Sequence, residues 1–240
     1  MKIIAALRKG SEAAHTSHLD LQRTLQRVFR RADLPLKYSA GFNPHPLLSF
    51  ATALATGATS DGEWFEVELE QPPSERGELP GAVTPEEFLQ RANAQMPAGL
   101  SLWGAFEAPE GLGSLTKLLT AAEYEVQLYT DRPIARGQAE TALAALLGKE
   151  EVLAEKKTKQ GKKSVNIRPC LLEASLADAN EEVLTLAVTG ALTASGGLRS
   201  ELVGNALLGE LQCGGRVKVH RKRLLFGGPW AMGQGLGVRS

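Results

Sequence analysis

The sequence predicts an α+β protein built from two tandem ferredoxin-like units, each with an antiparallel sheet and the element order βαββαβ. Short apolar or alternating segments typical of strands are separated by segments with helical spacing, and the same order of elements restarts after a glycine-rich linker. The 240 residues, 43% of them hydrophobic, suffice for two cores. We expect one domain over residues 1–108, a second over 118–226 and a flexible tail over 227–240.

The first unit opens with an apolar strand, "KIIAALRK", and an amphipathic helix. Leucine, valine and phenylalanine recur at helical spacing in "TSHLDLQRTLQRVFRRADL". Thr16 or Ser17 is the predicted N-cap, and the helix should end near Asp33, before a proline.

A strand, a second helix and a returning strand complete this unit. The alternation in "WFEVELE" predicts a strand with one face in water. Thr84, Pro85 and Glu87 predict a capping box at the start of "TPEEFLQRANAQM". The segment "GLSLWGAFEA" then returns as a strand.

The second unit repeats this order with one extra strand. A lysine-rich hairpin, "EVLAEKKTKQGKKSVNIRP", is expected to turn at Gln160-Gly161, and "CLLEASLA" is an extra strand. Hairpin strands and the last strand share one sheet in a ferredoxin-like unit, so we expect the hairpin lysines and the last strand to contribute to one region. The remaining elements are the strand "AEYEVQLYT", the helix "PIARGQAETALAALLG", the strand "EVLTLAVTGA", the helix "RSELVGNALLG" and the last strand "GRVKVHRKRLLF".

The formal net charge of zero hides a segregation of charge along the chain. Residues 1–50 carry eight basic and three acidic side chains, whereas residues 51–115 carry two and eleven. Residues 151–169 hold six basic and two acidic residues, and residues 216–240 hold six basic and none acidic. Because electrostatic fields are local at cellular salt, a neutral total is compatible with a basic face that binds an anionic partner.

Two motifs resemble a known family. The segment "SHLDLQRTLQRVFRRADLPLKYSAGFNPHPLLSFATALATGATSDGEWFEVEL" resembles the opening of the radical-SAM-linked DUF2344 domain family, and "EKKTKQGKKSVNIRP" resembles its second motif. The resemblance implies a domain fused behind a radical SAM module or encoded beside one, near genes for ribosome and RNA-processing proteins, with no assigned activity. Asn166 stands where the resemblance leads us to expect aspartate, which weakens any catalytic role for a carboxylate there.

The cysteine content argues against radical catalysis within these residues. That chemistry needs three thiolates to hold a four-iron cluster, and only Cys170 and Cys213 are present, 43 residues apart. We therefore expect no cofactor bound by this chain and a separate radical SAM protein as its partner. The sequence has no run of 18 apolar residues and no secretory h-region, which predicts a cytoplasmic protein that does not contact a membrane.

Three residues are candidates for catalysis or metal binding. His18 and Asp20 lie near the start of the first helix, and His45 lies between two prolines in "NPHP". The competing interpretation is that His18 and Asp20 cap the helix and hydrogen-bond the neighbouring loop. We expect the loop from Tyr38 to Gly62 to be ordered, with Phe42 or Phe50 buried and His18 near residues 43–45.

The candidate binding residues fall in this loop and in the basic segments. The loop suits stacking on a base or hydrogen bonding to a phosphate, and the lysines and arginines suit phosphate binding. The predicted binding residues are Tyr38, Phe42, Asn43, His45, Lys156, Lys157, Lys159, Lys162, Lys163, Arg168, Arg216, Lys218 and Arg221.

Three functions follow from these features as open alternatives. The first is an accessory protein that binds RNA, or presents a substrate such as a ribosomal component, to a separate radical SAM enzyme. The second is a metal-independent nuclease or a transferase that uses His18, Asp20 and His45. The third is an adaptor whose acidic and basic faces bind other proteins.

Overall fold

The computed structural model describes residues 1–70, 82–158, 161–180, 182–193 and 196–228. The chain divides into two compact units, Met1–Leu118 and Leu119–Ser240. Both are α+β, and the strand pairs within each unit are antiparallel. Within the described ranges, no helix is long and apolar enough to cross a membrane. The expected tail lies, from residue 229 onward, outside the described residues.

Unit 1 consists of a four-stranded sheet and its helices. The strands lie in the order β2-β3-β1-β4. The elements are β1 Lys2–Lys9, α1 His18–Arg31, β2 Leu48–Phe50, β3 Thr59–Glu68, α2 Pro85–Asn93, β4 Leu100–Glu107 and the short α3 Leu115–Leu118.

Aromatic side chains form the centre of the unit 1 core. Phe29 of α1 contacts Phe65 of β3 and Phe88 of α2, with ring centroids 6.0 and 5.2 Å apart, and Phe50 of β2 lies 5.5 Å from Phe65. All four side chains are buried. The burial of Phe50 confirms the expectation that either Phe42 or Phe50 would be buried. The core thus joins both helices and the strand β2 that follows the loop to one face of the sheet.

Local hydrogen bonds explain where helices α1 and α2 begin and how the end of α1 is satisfied. Ser17 is the N-cap of α1, and Thr84 and Glu87 form the predicted capping box of α2, so both predictions are confirmed. At the other end of α1, the guanidinium of Arg91 donates two hydrogen bonds to the carbonyl oxygen of Ala32, at 3.0 and 2.8 Å. This bond links α2 to the C-terminus of α1, where carbonyl groups lack partners within the helix.

The predicted water-exposed face of β3 is covered at one position. Glu66 is only 6% exposed, whereas Glu68 on the same face is partly exposed. Glu66 accepts hydrogen bonds from the Lys2 ammonium at 2.8 Å and from the backbone N–H of Leu115 at 2.8 Å. The segment around Leu115 therefore covers part of this face, and a single strand's alternation does not reveal such a cover.

Unit 2 has a sheet with β8-β9-β5-β11 in this order, and β10 pairs with β9. Helix α5 packs closely on it, since a Cβ at Gly204 would lie 2.8 Å from Cγ1 of Val217. The elements are β5 Leu119–Thr130, α4 Arg136–Leu147, β6 Leu153–Thr158, β7 Gly161–Asn166, β8 Leu171–Ala179, β9 Val183–Thr193, β10 Gly196–Gly197, α5 Ser200–Glu210 and β11 Gly215–Phe226.

The lysine-rich hairpin is present, but its expected place in the sheet is wrong. Strands β6 and β7 form a separate two-stranded sheet, and β8 pairs with β9 where the hairpin was expected. The base of the hairpin lines a cleft of about 790 Å³ with α4 and α5, so it starts on the helical side of unit 2. The predicted turn includes Gln160, which lies outside the described residues.

A buried lysine shapes the turn between β1 and α1. Lys9 is 1% exposed, and its ammonium donates hydrogen bonds to the carbonyl oxygens of Ala14 at 2.9 Å and Thr16 at 3.1 Å. Burial lowers the pKa of Lys9, and the negative charge of Glu63 opposes that shift. The ammonium therefore satisfies two carbonyl groups just before the N-cap of α1.

We expect Lys9→Met to destabilise unit 1. The substitution keeps an apolar stem but leaves the two carbonyl groups without their donor, so the free energy of unfolding should fall by about 3 kcal/mol. Urea denaturation measures the change. Lys37→Met is the control, because Lys37 pairs with Glu68 at an exposed site and should have little effect. A Lys9→Met protein as stable as the parent would contradict this role.

Candidate nucleic-acid interface

One flank of α1 holds the segment 38–50 in place. The ring of His18 meets Phe50 edge-on at 5.3 Å, and the amide of Gln22 donates a 3.1 Å hydrogen bond to the carbonyl oxygen of Leu48. Farther along, Arg30 Nε donates to the hydroxyl of Tyr38 at 3.3 Å. Each four-residue step turns by about 40° on a helix, so the three contacts wind part of the way round α1, from His18 at its start to Arg30 near its end.

The loop between Lys37 and Leu47 is closed by a short ladder of hydrogen bonds, which supports the prediction of an ordered loop. The N–H of Leu47 donates to the carbonyl oxygen of Lys37 at 2.9 Å, and the N–H of Ser39 donates to that of His45 at 2.9 Å. The Ser39 hydroxyl accepts from the His45 N–H at 3.2 Å and lies 2.9 Å from His45 Nδ1. At the base of the loop, the backbone N–H of Lys37 donates a 2.9 Å hydrogen bond to the backbone carbonyl oxygen of Glu68 in β3. Five residues, 40–44, form the tip.

The tip carries an aromatic ring into water. Phe42 is fully exposed, at 105%, and it follows Gly41, whose φ of 124° is one that residues with a side chain rarely adopt. Asn43 and His45 are also exposed, and Tyr38 is 39% exposed. The guanidinium of Arg30 lies 6.0 Å from the centre of the Tyr38 ring. All four candidate binding residues of the loop therefore have accessible surface.

His18 and Asp20 lie on different sides of α1. Residues two apart on a regular helix are separated by about 200°, so His18 faces Phe50 whereas Asp20 binds Ser17, with Oδ2 2.6 Å from the hydroxyl. This hydrogen bond lowers the pKa of Asp20. Among the described residues, no group of three or more His, Cys, Asp or Glu side chains is placed to hold a metal ion. The expected contact of His18 with residues 43–45 remains a prediction.

The exposed side of α1 is basic, and our sequence reasoning did not identify it. Arg23, Arg27, Arg30 and Arg31 are all exposed, and we call them the arginine ridge. Arg23 pairs with Asp20 at 3.3 Å. The signal was present in the sequence, because these arginines recur at three- and four-residue steps on the side opposite the buried face. Arg30 belongs to both the ridge and the flank that contacts the loop.

The hairpin places its lysines in opposed pairs. Lys156 is directly across from Lys163, and Lys157 is directly across from Lys162. Lys163 is exposed, and Lys159 lies outside the described residues. Like charges at directly opposed positions destabilise a strand pair, and an anionic partner removes that cost. The register therefore places four lysines at two successive paired positions of one two-stranded element.

The basic residues of β11 and the base of the hairpin lie on opposite faces of the unit 2 sheet. Arg216 and Lys218 are exposed and lie 4.3 and 4.9 Å from the centre of the Tyr129 ring. Tyr129 points away from the face on which α5 packs, because residues alternate along a strand and Val126 contacts α5. The hairpin starts on the helical side, so the two basic groups arise from opposite faces of the sheet.

Two further predicted binding residues have structural contacts instead. Arg221 is 4% exposed and lies over Tyr124, 5.5 Å from its ring centre, so its expected place in a surface patch is wrong. Arg221 is five residues after Arg216, so strand alternation places it on the opposite face of β11, directly across from Tyr124, and that face is covered there. Arg168 is half-buried and donates a 3.1 Å hydrogen bond to the carbonyl oxygen of Leu171. Asn166 Oδ1 accepts from the N–H groups of Val152 and Arg168, both at 3.0 Å.

Comparison with known proteins finds a matching family and similar solved structures. The family described as "Uncharacterized protein conserved in bacteria (DUF2344)" matches residues 2–199. No curated protein matches the chain. An H/ACA ribonucleoprotein bound to a substrate RNA containing 2'-deoxyuridine is 8% identical with a TM-score of 0.48, and an archaeal box H/ACA Nop10-Cbf5 complex is 7% identical with a TM-score of 0.47. They cover 92% and 91% of this chain, which spans 47% of each solved chain.

We expect His18→Phe to reduce the loss of stability in mild acid. Burial lowers the pKa of His18 below its ordinary value of 6.5, so the unfolded state binds the proton more readily. The stability that the neutral ring contributes is present above about pH 6.5 and is lost as the pH falls through the lower, folded-state pKa. A phenylalanine keeps the ring contact with Phe50 and does not titrate.

The melting temperatures of parent and variant, followed from about pH 7 to about pH 5, test this expectation. The melting temperature of the parent should fall more steeply with decreasing pH than that of His18→Phe. His15→Phe is the matched control, because His15 is exposed and should leave the parent's profile unchanged. Parallel profiles for parent and His18→Phe would contradict the assignment.

Proposed function

The chain belongs to the DUF2344 family, and we propose that it is an accessory RNA-binding protein that serves a separate radical SAM enzyme in RNA or ribosome-related modification. The proposal includes a cytoplasmic location. The observation that carries the RNA-binding part is the register of the β6–β7 hairpin, which pairs lysine with lysine at two successive positions.

Phosphate groups are the partner that suits this hairpin. RNA presents closely spaced negative charges, and lysines that neutralise them release condensed counterions into solution. In the β6–β7 register Glu155 is aligned with Ser164, and the two lysine pairs have no carboxylate directly across the ladder. The arginine ridge of unit 1 adds a second exposed basic surface, built on a regular helix. Both features favour an extended anionic ligand over a small molecule.

The radical SAM partner rests on the family resemblance and on the cysteine content. Cys170 and Cys213 are the two cysteines of the 240 residues and lie in different parts of unit 2, near the start of β8 and before β11. Two thiols do not supply the three ligands of a four-iron cluster. Radical chemistry linked to this protein is therefore proposed to come from outside these residues, and this chain contributes binding or presentation of the substrate.

The tandem ferredoxin-like assignment is part of this proposal. The strand orders β2-β3-β1-β4 and β8-β9-β5-β11 are what two βαββαβ units with antiparallel sheets would have, with the hairpin as an insertion in the second. Such sheets with helices on one side leave strands and loops available for binding an extended ligand.

We expect the joint substitution of Lys156, Lys157, Lys162 and Lys163 by alanine to weaken RNA binding while folding is retained. Fewer phosphates would be neutralised, so affinity should drop and the salt dependence should become shallower, by a slope of about 0.7 for each lost phosphate contact on single strands. Fluorescence anisotropy with labelled RNA between about 50 and 200 mM salt measures both quantities.

A second quadruple variant controls for net charge. Lys117, Arg136, Lys149 and Arg199 are exposed and lie outside the hairpin and the ridge, so their replacement by alanine removes the same charge elsewhere. The control should bind RNA nearly as the parent does. Equal binding by the parent and the hairpin variant across the salt range would remove the main support for this function.

The partner is tested by affinity purification of the tagged protein from its native host. Mass spectrometry of bound protein and sequencing of bound RNA should recover a radical SAM enzyme and an enriched RNA. Recovery of other proteins, without a radical SAM enzyme and without an enriched RNA, would favour an adaptor role and would contradict the proposal.

A further inference from the structure

We propose that the loop of residues 38–45 stacks an unpaired RNA base on Phe42 while the arginine ridge binds the phosphates beside it. This inference rests on the RNA-binding function proposed above. It narrows the ligand to RNA with at least one unpaired base and assigns base contact to unit 1, whereas the hairpin supplies phosphate contact only.

Exposed aromatic surface is concentrated on this loop. Among the described residues, three aromatic side chains are exposed by more than a third, and two of them are Tyr38 and Phe42. The third, Trp103, donates a hydrogen bond from its indole N–H to the carbonyl oxygen of Asp61 and meets Trp64 edge-on at 5.5 Å. Phe42 is the most exposed of the three, so both faces of its ring are accessible to a planar ligand.

The loop is organised before any ligand binds. The Ser39–His45 hydrogen bonds close it, and α1 holds both of its ends through Arg30 at Tyr38 and Gln22 at Leu48. An ordered loop loses little conformational entropy on binding, which improves affinity for a given contact area. A phenylalanine ring needs to fix only two torsions when a base stacks on it.

The charge beside the loop suits the backbone of a single strand. Arg30 connects the ridge directly to Tyr38, and Arg27 and Arg31 are exposed within one turn of it. Single-strand binding sites combine a basic surface that follows the phosphates with aromatic rings on which bases stack. Bases inside a duplex are already stacked on their neighbours, so a regular duplex would reach the ridge but not Phe42.

The test compares three RNAs and three proteins in anisotropy titrations at fixed salt. The RNAs are a single strand of about 12 nucleotides, a strand of equal length with abasic residues, and the matching duplex. The proteins are the parent, Phe42→Ala and Phe42→Trp. Phe42→Ala should bind the single strand about tenfold more weakly, and it should bind the abasic strand and the duplex as the parent does. Phe42→Trp should retain the parent's affinity for the single strand.

Two controls separate stacking from other effects. Leu172→Ala removes a different exposed apolar side chain, 54% exposed in unit 2, and should leave all three affinities unchanged. Thermal melting should give the same midpoint for the parent and Phe42→Ala, because the fully exposed ring contributes no buried area. Replacing Arg27 and Arg31 by alanine should weaken binding to all three RNAs.

The outcomes distinguish this inference from the function on which it rests. A parent that binds none of the RNAs would overturn both. If the hairpin variant loses affinity while Phe42→Ala binds the single strand as the parent does, the RNA-binding function stands and base stacking on Phe42 is wrong. If Phe42→Ala loses as much affinity for the abasic strand as for the normal single strand, base stacking is also overturned. If Phe42→Ala loses a co-purified protein but keeps its RNA affinity, the loop is a protein-docking site instead.

Discussion

The buried ammonium of Lys9 determines where α1 begins, and the candidate site of unit 1 depends on that. By holding the carbonyl groups of Ala14 and Thr16, Lys9 ends the turn after β1 one residue before the N-cap Ser17. A helix that starts at a set residue has a set rotation about its axis. A start displaced by one residue would rotate the side chains of α1 by about 100° relative to the core.

That rotation divides α1 into three surfaces with different tasks. The apolar side, with Phe29, packs on the sheet. One flank holds the loop through His18, Gln22 and Arg30, and the remaining side carries the exposed arginines. Base contact and phosphate contact are therefore proposed side by side, because Arg30 belongs to both polar surfaces.

Unit 2 reaches a basic surface by a different route. Its hairpin forms a two-stranded sheet separate from the main sheet, and the hairpin register pairs lysine with lysine at two successive positions. Within the main sheet, Arg223 of β11 does pair with Glu123 of β5, at 2.7 Å, and Arg216 and Lys218 lie over Tyr129. The separation of the hairpin from the sheet thus places its lysines on an element of their own, distinct from the strand that carries Arg216, Lys218 and Arg223.

Local patterns in the sequence determined the strands, the helices and their caps, because spacing, capping residues and turns act over a few neighbouring residues. They also identified the loop and the hairpin as candidates for binding. Only the tertiary structure decided that Glu66 is buried, that the hairpin leaves the sheet, that Arg221 is inside and that α1 aligns its arginines with the loop. Each of these depends on which distant segment covers or pairs with a strand, and the periodicity of a single segment carries no information about its distant neighbours.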